Sequence, residues 1–211
     1  MDDHLYQVLL AAGSDSVAKG IERAVEELMK QPHLMQKAVD ELDEVVGKKR
    51  VVEESDIPNL PFLQNVVKET LRLYPPTQLL VPHMNVEQRQ VAGYTIPPNS
   101  TVMINLYALS RDPEFWDCPN LFSPDRFANS TLTVQGSDFH YIPFGYGRRG
   151  CPGLNLGMAN FQHGLALFLQ CFDWSFINGV PSSDAYTAWR VKPDLCVHAQ
   201  LRIDPHLLQQ S

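Results

Sequence analysis

No stretch of the 211-residue chain approaches the ~18 consecutive apolar residues that a membrane-crossing helix needs, and no secretory leader is visible. Cysteine is scarce. Cys118, Cys151, Cys171 and Cys196 stand far apart with no C-x-x-C spacing, which indicates neither a zinc site nor a disulfide framework and points to reduced thiols facing the cytosol. Positive charge is also short: 17 Lys and Arg stand against 24 Asp and Glu, a net charge of −7. A nucleic-acid binder would carry a basic surplus or stripe, and the short run Lys48-Lys49-Arg50 reads as a solvated turn. Internal repeats and low-complexity tracts are absent too. What remains is a chain 44% hydrophobic, enough for one substantial core or two small ones.

One of the four cysteines has an unusual setting, Phe144-Gly145-Tyr146-Gly147-Arg148-Arg149-Gly150-Cys151-Pro152-Gly153. Gly145 and Gly147 allow backbone angles and approaches that a Cβ would forbid, and Pro152-Gly153 turns the chain toward a helix beginning near Leu154. Such a loop can aim backbone N–H groups at a sulfur and hold an arginine beside it. That setting suits a metal-bound thiolate, although a Gly-rich turn around a buried cysteine would read the same way. The pattern F-x-x-G-x-R-x-C-x-G resembles the haem-binding signature of the cytochromes P-450, the haem-thiolate monooxygenases.

Three further segments extend the resemblance. Lys68-Glu69-Thr70-Leu71-Arg72 lies in a helical stretch, Leu63 to Tyr74, closed by Pro75-Pro76, and puts Glu69 and Arg72 on one helix face at i,i+3. Phe122-Ser123-Pro124-Asp125-Arg126-Phe127 resembles the family's P-E-R-F element, with Asp125 in place of glutamate. The resemblance implies that Glu69, Arg72 and Arg126 lock together and anchor the meander leading to the cysteine loop. A buried charge cluster of this kind is costly unless all partners are present, which makes it architectural. Near the start, Ala11-Ala12-Gly13-Ser14-Asp15-Ser16 resembles the oxygen-binding motif of the family's long distal helix, with Ser16 where threonine is usual.

The resemblance covers essentially the whole chain, but only the smaller, C-terminal part of the family's fold. It implies a mainly α protein with small β-sheets, running from the oxygen-binding helix through the cysteine loop and final helix, as one partial domain over residues 1–211. Met1 falls inside the oxygen-binding helix, so the chain is expected to be a truncated gene model, a splice product or a pseudogene-like fragment. It is expected to lack the membrane anchor and first helices. Leu73-Tyr74-Pro75-Pro76, Val81-Pro82-His83, Gln90 to Pro97 and Asp138 to Gly145 look like the plant A-type branch of secondary metabolism.

By the same resemblance Cys151 is the axial ligand of haem iron, Arg149 and His83 bond haem propionates, Phe144 packs near the thiolate, and Gly153 belongs to the same cofactor site. Gly13 makes room over the distal face, while Asp15 and Ser16 organise water and pass protons. Substrate contacts would come from Ala11 to Ser16, Thr77 to Val81 and the loop around Ser183 to Ala188. They suit an apolar or phenolic small molecule, with O2 as co-substrate. Electrons would come from NADPH through NADPH-cytochrome P-450 reductase, docking near Lys68, Arg148 and Lys192. The family works at the cytosolic face of the endoplasmic reticulum membrane, so membrane association is expected of a full-length form. Three readings stay open: a working monooxygenase, a catalytically inactive haem-binding or non-catalytic fragment, and a helical scaffold whose motifs are relics.

Periodicity orders the chain. One helix is expected from Met1 to about Lys30, a second from Pro32 to Gly47, and a long apolar one from Leu154 to Phe172. Val51 to Pro61 reads as a connection. Strands are expected at Leu79–Val81, Gln90–Ile96 and Thr101–Leu106 with a turn at Pro97-Pro98-Asn99, and a short helix at Leu109–Phe115. The tail from Trp174 to Pro205 has strand-like pieces, and much of the Leu5–Ala12 and Leu154–Phe172 apolar surface is expected to lack partners.

Overall fold

The computed structural model describes residues 3–136, 138–177 and 196–209. Helix α1 (Asp3–Lys30) gives way at Gln31 to α2 (Pro32–Val45), and a 3-10 turn (Glu54–Asn59) leads into α3 (Pro61–Leu73). Both α2 and α3 begin with proline, whose missing N–H costs nothing in a first turn. The free amides of α3 are capped from a distance: Glu41 of α2 accepts from Phe62 N at 2.7 Å and from Leu63 N at 2.9 Å. A carboxylate at a helix N-terminus meets both unpaired N–H groups and the positive end of the dipole, so α2 and α3 are held in register.

Two small antiparallel ladders follow, β1 (His83–Met84) with β4 (Thr101–Val102), and β2 (Arg89–Val91) with β3 (Tyr94–Ile96). The expected single strand over Gln90–Ile96 is a hairpin, because Ala92 (φ 48°) and Gly93 (φ 84°) both take left-handed angles and fold the chain back. The turn at Pro97-Pro98-Asn99 stands as expected, with Asn99 at φ 60° and Asn85 bonding Pro97 O and Ser100 N. Leu79–Val81 is reduced to a bridge from Leu79 to Asn105. The expected strand to Leu106 stops at Val102, and α4 (Leu106–Leu109) begins there, with Asn105 Oδ1 accepting from Ala108 N. The helix expected over Leu109–Phe115 is therefore shifted, since Pro113 disfavours helical angles at Asp112.

Short 3-10 turns at Pro124–Phe127 and Gly147–Arg149 punctuate the meander before α5 (Leu154–Cys171), which runs into a third ladder of β5 (Phe172–Phe176) with β6 (Val197–Leu201). The main core joins the second half of α1 with α2, α3 and α5 and takes in Trp116, Phe127 and Tyr141. The expectation that much of α5 lacks partners is corrected: Phe161, Leu165, Ala166 and Leu169 are buried in that core. Leu9 and Leu10, at 53% and 55% exposure, do stand free. The side chains of Leu5 and Val8, also in that stripe, lie outside the described residues. Among the described residues no helix is long and apolar enough to cross a membrane.

Candidate functional site

The cysteine loop is closed by its own backbone. Cys151 N donates to Phe144 O at 2.9 Å, Gly150 N to Gly147 O at 3.0 Å and Gly145 N to Ile142 O at 2.9 Å. These bonds need Gly145 and Gly147 at φ 72° and 71°, angles at which a side chain would be strained. The Cys151 thiol is exposed. Gly153 lies beside it, since a Cβ there would sit 3.9 Å from Sγ, and Phe144 lies over Gly157 of α5 at 3.6 Å from a notional Cβ. The loop thus presents an accessible sulfur just ahead of an 18-residue helix. Arg148 and Arg149 are exposed in the 3-10 turn that precedes it.

Gly13, Asp15 and Ser16 lie on α1, which crosses α5 through Gly20 against Phe161 and Ile21 against Gly164. A Cβ on Gly13 would meet nothing within 4 Å. Packing inside the chain therefore does not explain this glycine, and the space in front of it is open. Ser16 Oγ donates to Ala12 O at 2.7 Å, and Ser14 Oγ to Leu10 O at 2.7 Å, so hydroxyls back-bond the helix on both sides of Gly13. Asp15 is ion-paired with Lys19 at i+4, both well exposed. His83 is exposed on β1, opposite Val102. Among the described residues no cluster of three or more His, Cys, Asp or Glu side chains could hold a metal ion by itself. The loop around Ser183 to Ala188 and Lys192 lie outside the described residues.

Glu69, Arg72 and Arg126 come together, and the cluster is larger than the three residues the motifs name. Arg72 grips Glu69 with two bonds, Nε to Oε2 at 2.7 Å and Nη2 to Oε1 at 2.8 Å, with Glu69 0% and Arg72 1% exposed. Its remaining donors reach Ser110 O, Pro119 O and Leu121 O. Arg126 Nε and Ser123 N both donate to Glu69 Oε1, at 3.0 and 2.8 Å. Both guanidinium groups also lie over the Trp116 ring, at 5.1 and 5.9 Å from its centroid. Buried charges are tolerable when every donor and lone pair finds a partner, and this arrangement provides that. Trp116 and the three carbonyls had no counterpart in the motif reading. Any residue can supply a carbonyl, so only the fold identifies which ones do. Asp125, the departure from P-E-R-F, stays outside the cluster and pairs with Lys37 at 2.6 Å.

Comparison with known proteins bears on the whole arrangement. The chain is 43% identical over 210 residues to flavonoid 3'-monooxygenase of Arabidopsis thaliana, a match covering 94% of this chain and 41% of that protein. It is 43% identical over 200 residues to 7-ethoxycoumarin O-deethylase of Helianthus tuberosus, covering 92% and 41%. It thus spans about two fifths of the length of these curated relatives. A zebra fish cytochrome P450 solved with abiraterone superposes with a TM-score of 0.80 at 28% identity, covering 92% of this chain and 45% of that one. The family model of cytochrome P450 matches residues 4–197, a range that takes in α1, the Glu69 cluster and the cysteine loop together. On that match, nine tenths of its length, the chain belongs to the cytochrome P450 family.

Proposed function

We propose that the chain carries the haem-thiolate site of a monooxygenase that inserts one atom of O2 into a small apolar or phenolic substrate, the other atom leaving as water. The observation that carries this reading is the exposed Cys151 thiol on a loop closed by the Phe144 carbonyl, just ahead of α5. The residues fit a haem. Cys151 would offer a thiolate ligand to the iron, Gly153 lies beside its sulfur, and Gly13 leaves α1 open. A haem bound there would supply the oxygen chemistry, with the Cys151 thiolate donating electron density that favours O–O cleavage.

The chain's own residues have simpler tasks. Arg149 and His83 would hold propionates as cation and donor, and Phe144 would shield the sulfur side. Asp15 and the Ser16 hydroxyl would pass protons from solvent toward the distal side, with Lys19 keeping Asp15 oriented. Lys68 and Arg148 are the described basic residues offered to an NADPH-dependent flavoprotein reductase at the endoplasmic reticulum surface. A relative named for a flavonoid supports the phenolic class of substrate, and one named for 7-ethoxycoumarin, an aromatic ether, supports the apolar class.

The test is expression with a haem precursor, followed by the reduced CO spectrum and NADPH-supported oxidation of a flavonoid and coumarin panel with added reductase. The red-shifted Soret band of a thiolate-bound haem is expected, and Cys151→Ala is expected to abolish it. Persistence of the band in Cys151→Ala overturns the assignment. A second reading, haem binding without turnover, is favoured by the 53–55% exposure of Leu9 and Leu10 next to Gly13. A band without product selects it.

A further inference from the structure

The polypeptide between α3 and β1 is held at both ends. At its start Tyr74 closes α3, its N–H on Thr70 O at 2.8 Å, and its hydroxyl donates to Glu27 Oε1 of α1 at 2.9 Å. The Glu27 carboxylate is itself buried and fixed, since Lys30 Nζ reaches the same oxygen at 2.8 Å. Arg23 lies over the Tyr74 ring, 5.6 Å from its centroid. Burial and the nearby Glu27 carboxylate push the Tyr74 phenol far above its ordinary range, so the hydroxyl stays a donor at any physiological pH.

Pro75 and Pro76 follow directly. Two proline rings fix φ and leave no N–H to give, so a displacement at Tyr74 is passed on to Thr77 and not absorbed. Downstream, Tyr107 N donates to Gln78 O at 3.1 Å, Leu80 N donates to Ile104 O at 3.1 Å, and Leu79 bridges to Asn105. Leu80 is buried with Leu106 and Ile142 in a small second core, separate from the main one. Ile142 O in turn accepts the Gly145 N–H of the cysteine loop. Thr77, Leu79 and Val81 stay exposed. The segment is thus a bridge: Tyr74 ties it to the helix of Gly13, and Leu80 ties it to the loop of Cys151.

We propose that Tyr74 is a positioning residue for substrate: its bond to Glu27 fixes the distance between α1 and residues 77–81, and thereby which carbon of the substrate is presented for oxidation. This rests on the haem-thiolate reading, in which both stretches face the substrate. A hydrogen bond suits the task because it is directional. Apolar contacts hold two helices together over a range of offsets, whereas a phenol on a carboxylate has one preferred length and direction.

Two readouts separate this proposal from the reading beneath it. Amide exchange on the 211-residue chain needs no cofactor. In Tyr74→Phe, which removes only the hydroxyl, exchange at Leu80 and Tyr107 is expected to quicken at least ~10-fold, while Val52, held by Gln170, keeps its rate. Glu27→Gln leaves an acceptor for the phenol and is expected to stay within ~3-fold of wild type. With haem, reductase and the flavonoid and coumarin panel, Tyr74→Phe is expected to change the ratio of regioisomeric products at least ~3-fold, with the reduced CO band unaltered. A wild type without band or product counts against the haem-thiolate reading alone, and the exchange rates still decide the positioning. Unchanged exchange at Leu80 and Tyr107 overturns the proposal. Equal quickening at Val52 overturns it as well, since Tyr74 would then be an ordinary contributor to stability. Quickened exchange with an unchanged product ratio also overturns it.

Discussion

Gly20 and Phe161 touch where α1 crosses α5: a Cβ on Gly20 would come within 2.7 Å of the Phe161 ring. The reciprocal contact on the same crossing is Gly164 against Ile21, where a Cβ would lie 2.7 Å from Cδ1. The two contacts look alike, but their neighbours differ in freedom. Phe161 is 3% exposed in the main core, whereas Ile21 lines an open groove along α1 and can swing into it. Gly20→Ala gains ~1 kcal/mol of helix propensity against ~1–3 kcal/mol of overpacking, so its unfolding midpoint should fall. Gly164→Ala keeps the propensity gain, and its midpoint should hold or rise. Urea unfolding of both variants decides this, and the reverse order would show that Phe161 yields more easily than Ile21.

In the Glu69 cluster the guanidinium fork matters more than the positive charge. Arg72→Lys cannot make two bonds to Glu69 while reaching three carbonyls, so a loss of ~3–5 kcal/mol is expected. Arg126→Lys removes one bond to Glu69 from a more open side chain and should cost clearly less. Denaturant midpoints measure both. Equal losses would mean that the cluster behaves as a screened surface pair.

Gln170 is a second buried polar device, and it staples α5 to the chain after α2. Fully buried, it donates to Gly47 O and Arg50 O at 2.9 Å and accepts from Val52 N at 2.9 Å. Gln170→Leu keeps the volume but strands these groups, at ~1–3 kcal/mol for each one left unsatisfied. Amide exchange at Val52 should quicken together with the fall in midpoint. An unchanged Val52 exchange rate would remove the staple.

The acid limb of stability has a defined contributor in Asp56. Two bonds from Arg50, at 2.6 and 2.7 Å, hold its carboxyl below the ordinary carboxylate range, with help from the Glu53 amide and against the opposing effect of burial. A depressed folded-state pKa adds stability that is fully present above the unfolded value and is lost as pH falls through the folded one. The stability gap between wild type and Asp56→Asn should therefore be constant from about pH 7 to about pH 5 and shrink below about pH 4. Urea titrations across that range read the gap, and one that stays constant to about pH 3 would exclude Asp56 as the titrating group.

Local pattern alone determined the long helices and the settings of Cys151 and Glu69, whereas the roles expected of them came from a resemblance. Prolines at the first positions of α2 and α3, the spacing around Cys151 and the i,i+3 placement of Glu69 and Arg72 are short-range facts, and short-range backbone physics suffices to read them. The hairpin at Ala92-Gly93 was hidden because a left-handed alanine leaves no mark in composition, and the start of α4 at Leu106 was hidden among strand-like residues. Other features belong to the tertiary structure alone. They include the carbonyls around Arg72, the reach of Glu41 to the α3 amides, the Gln170 staple and the groove beside Glu26. Each depends on groups that every residue carries, or on side chains brought together across tens of residues. Only packing the apolar faces of α1, α2, α3 and α5 against one another selects which of them meet.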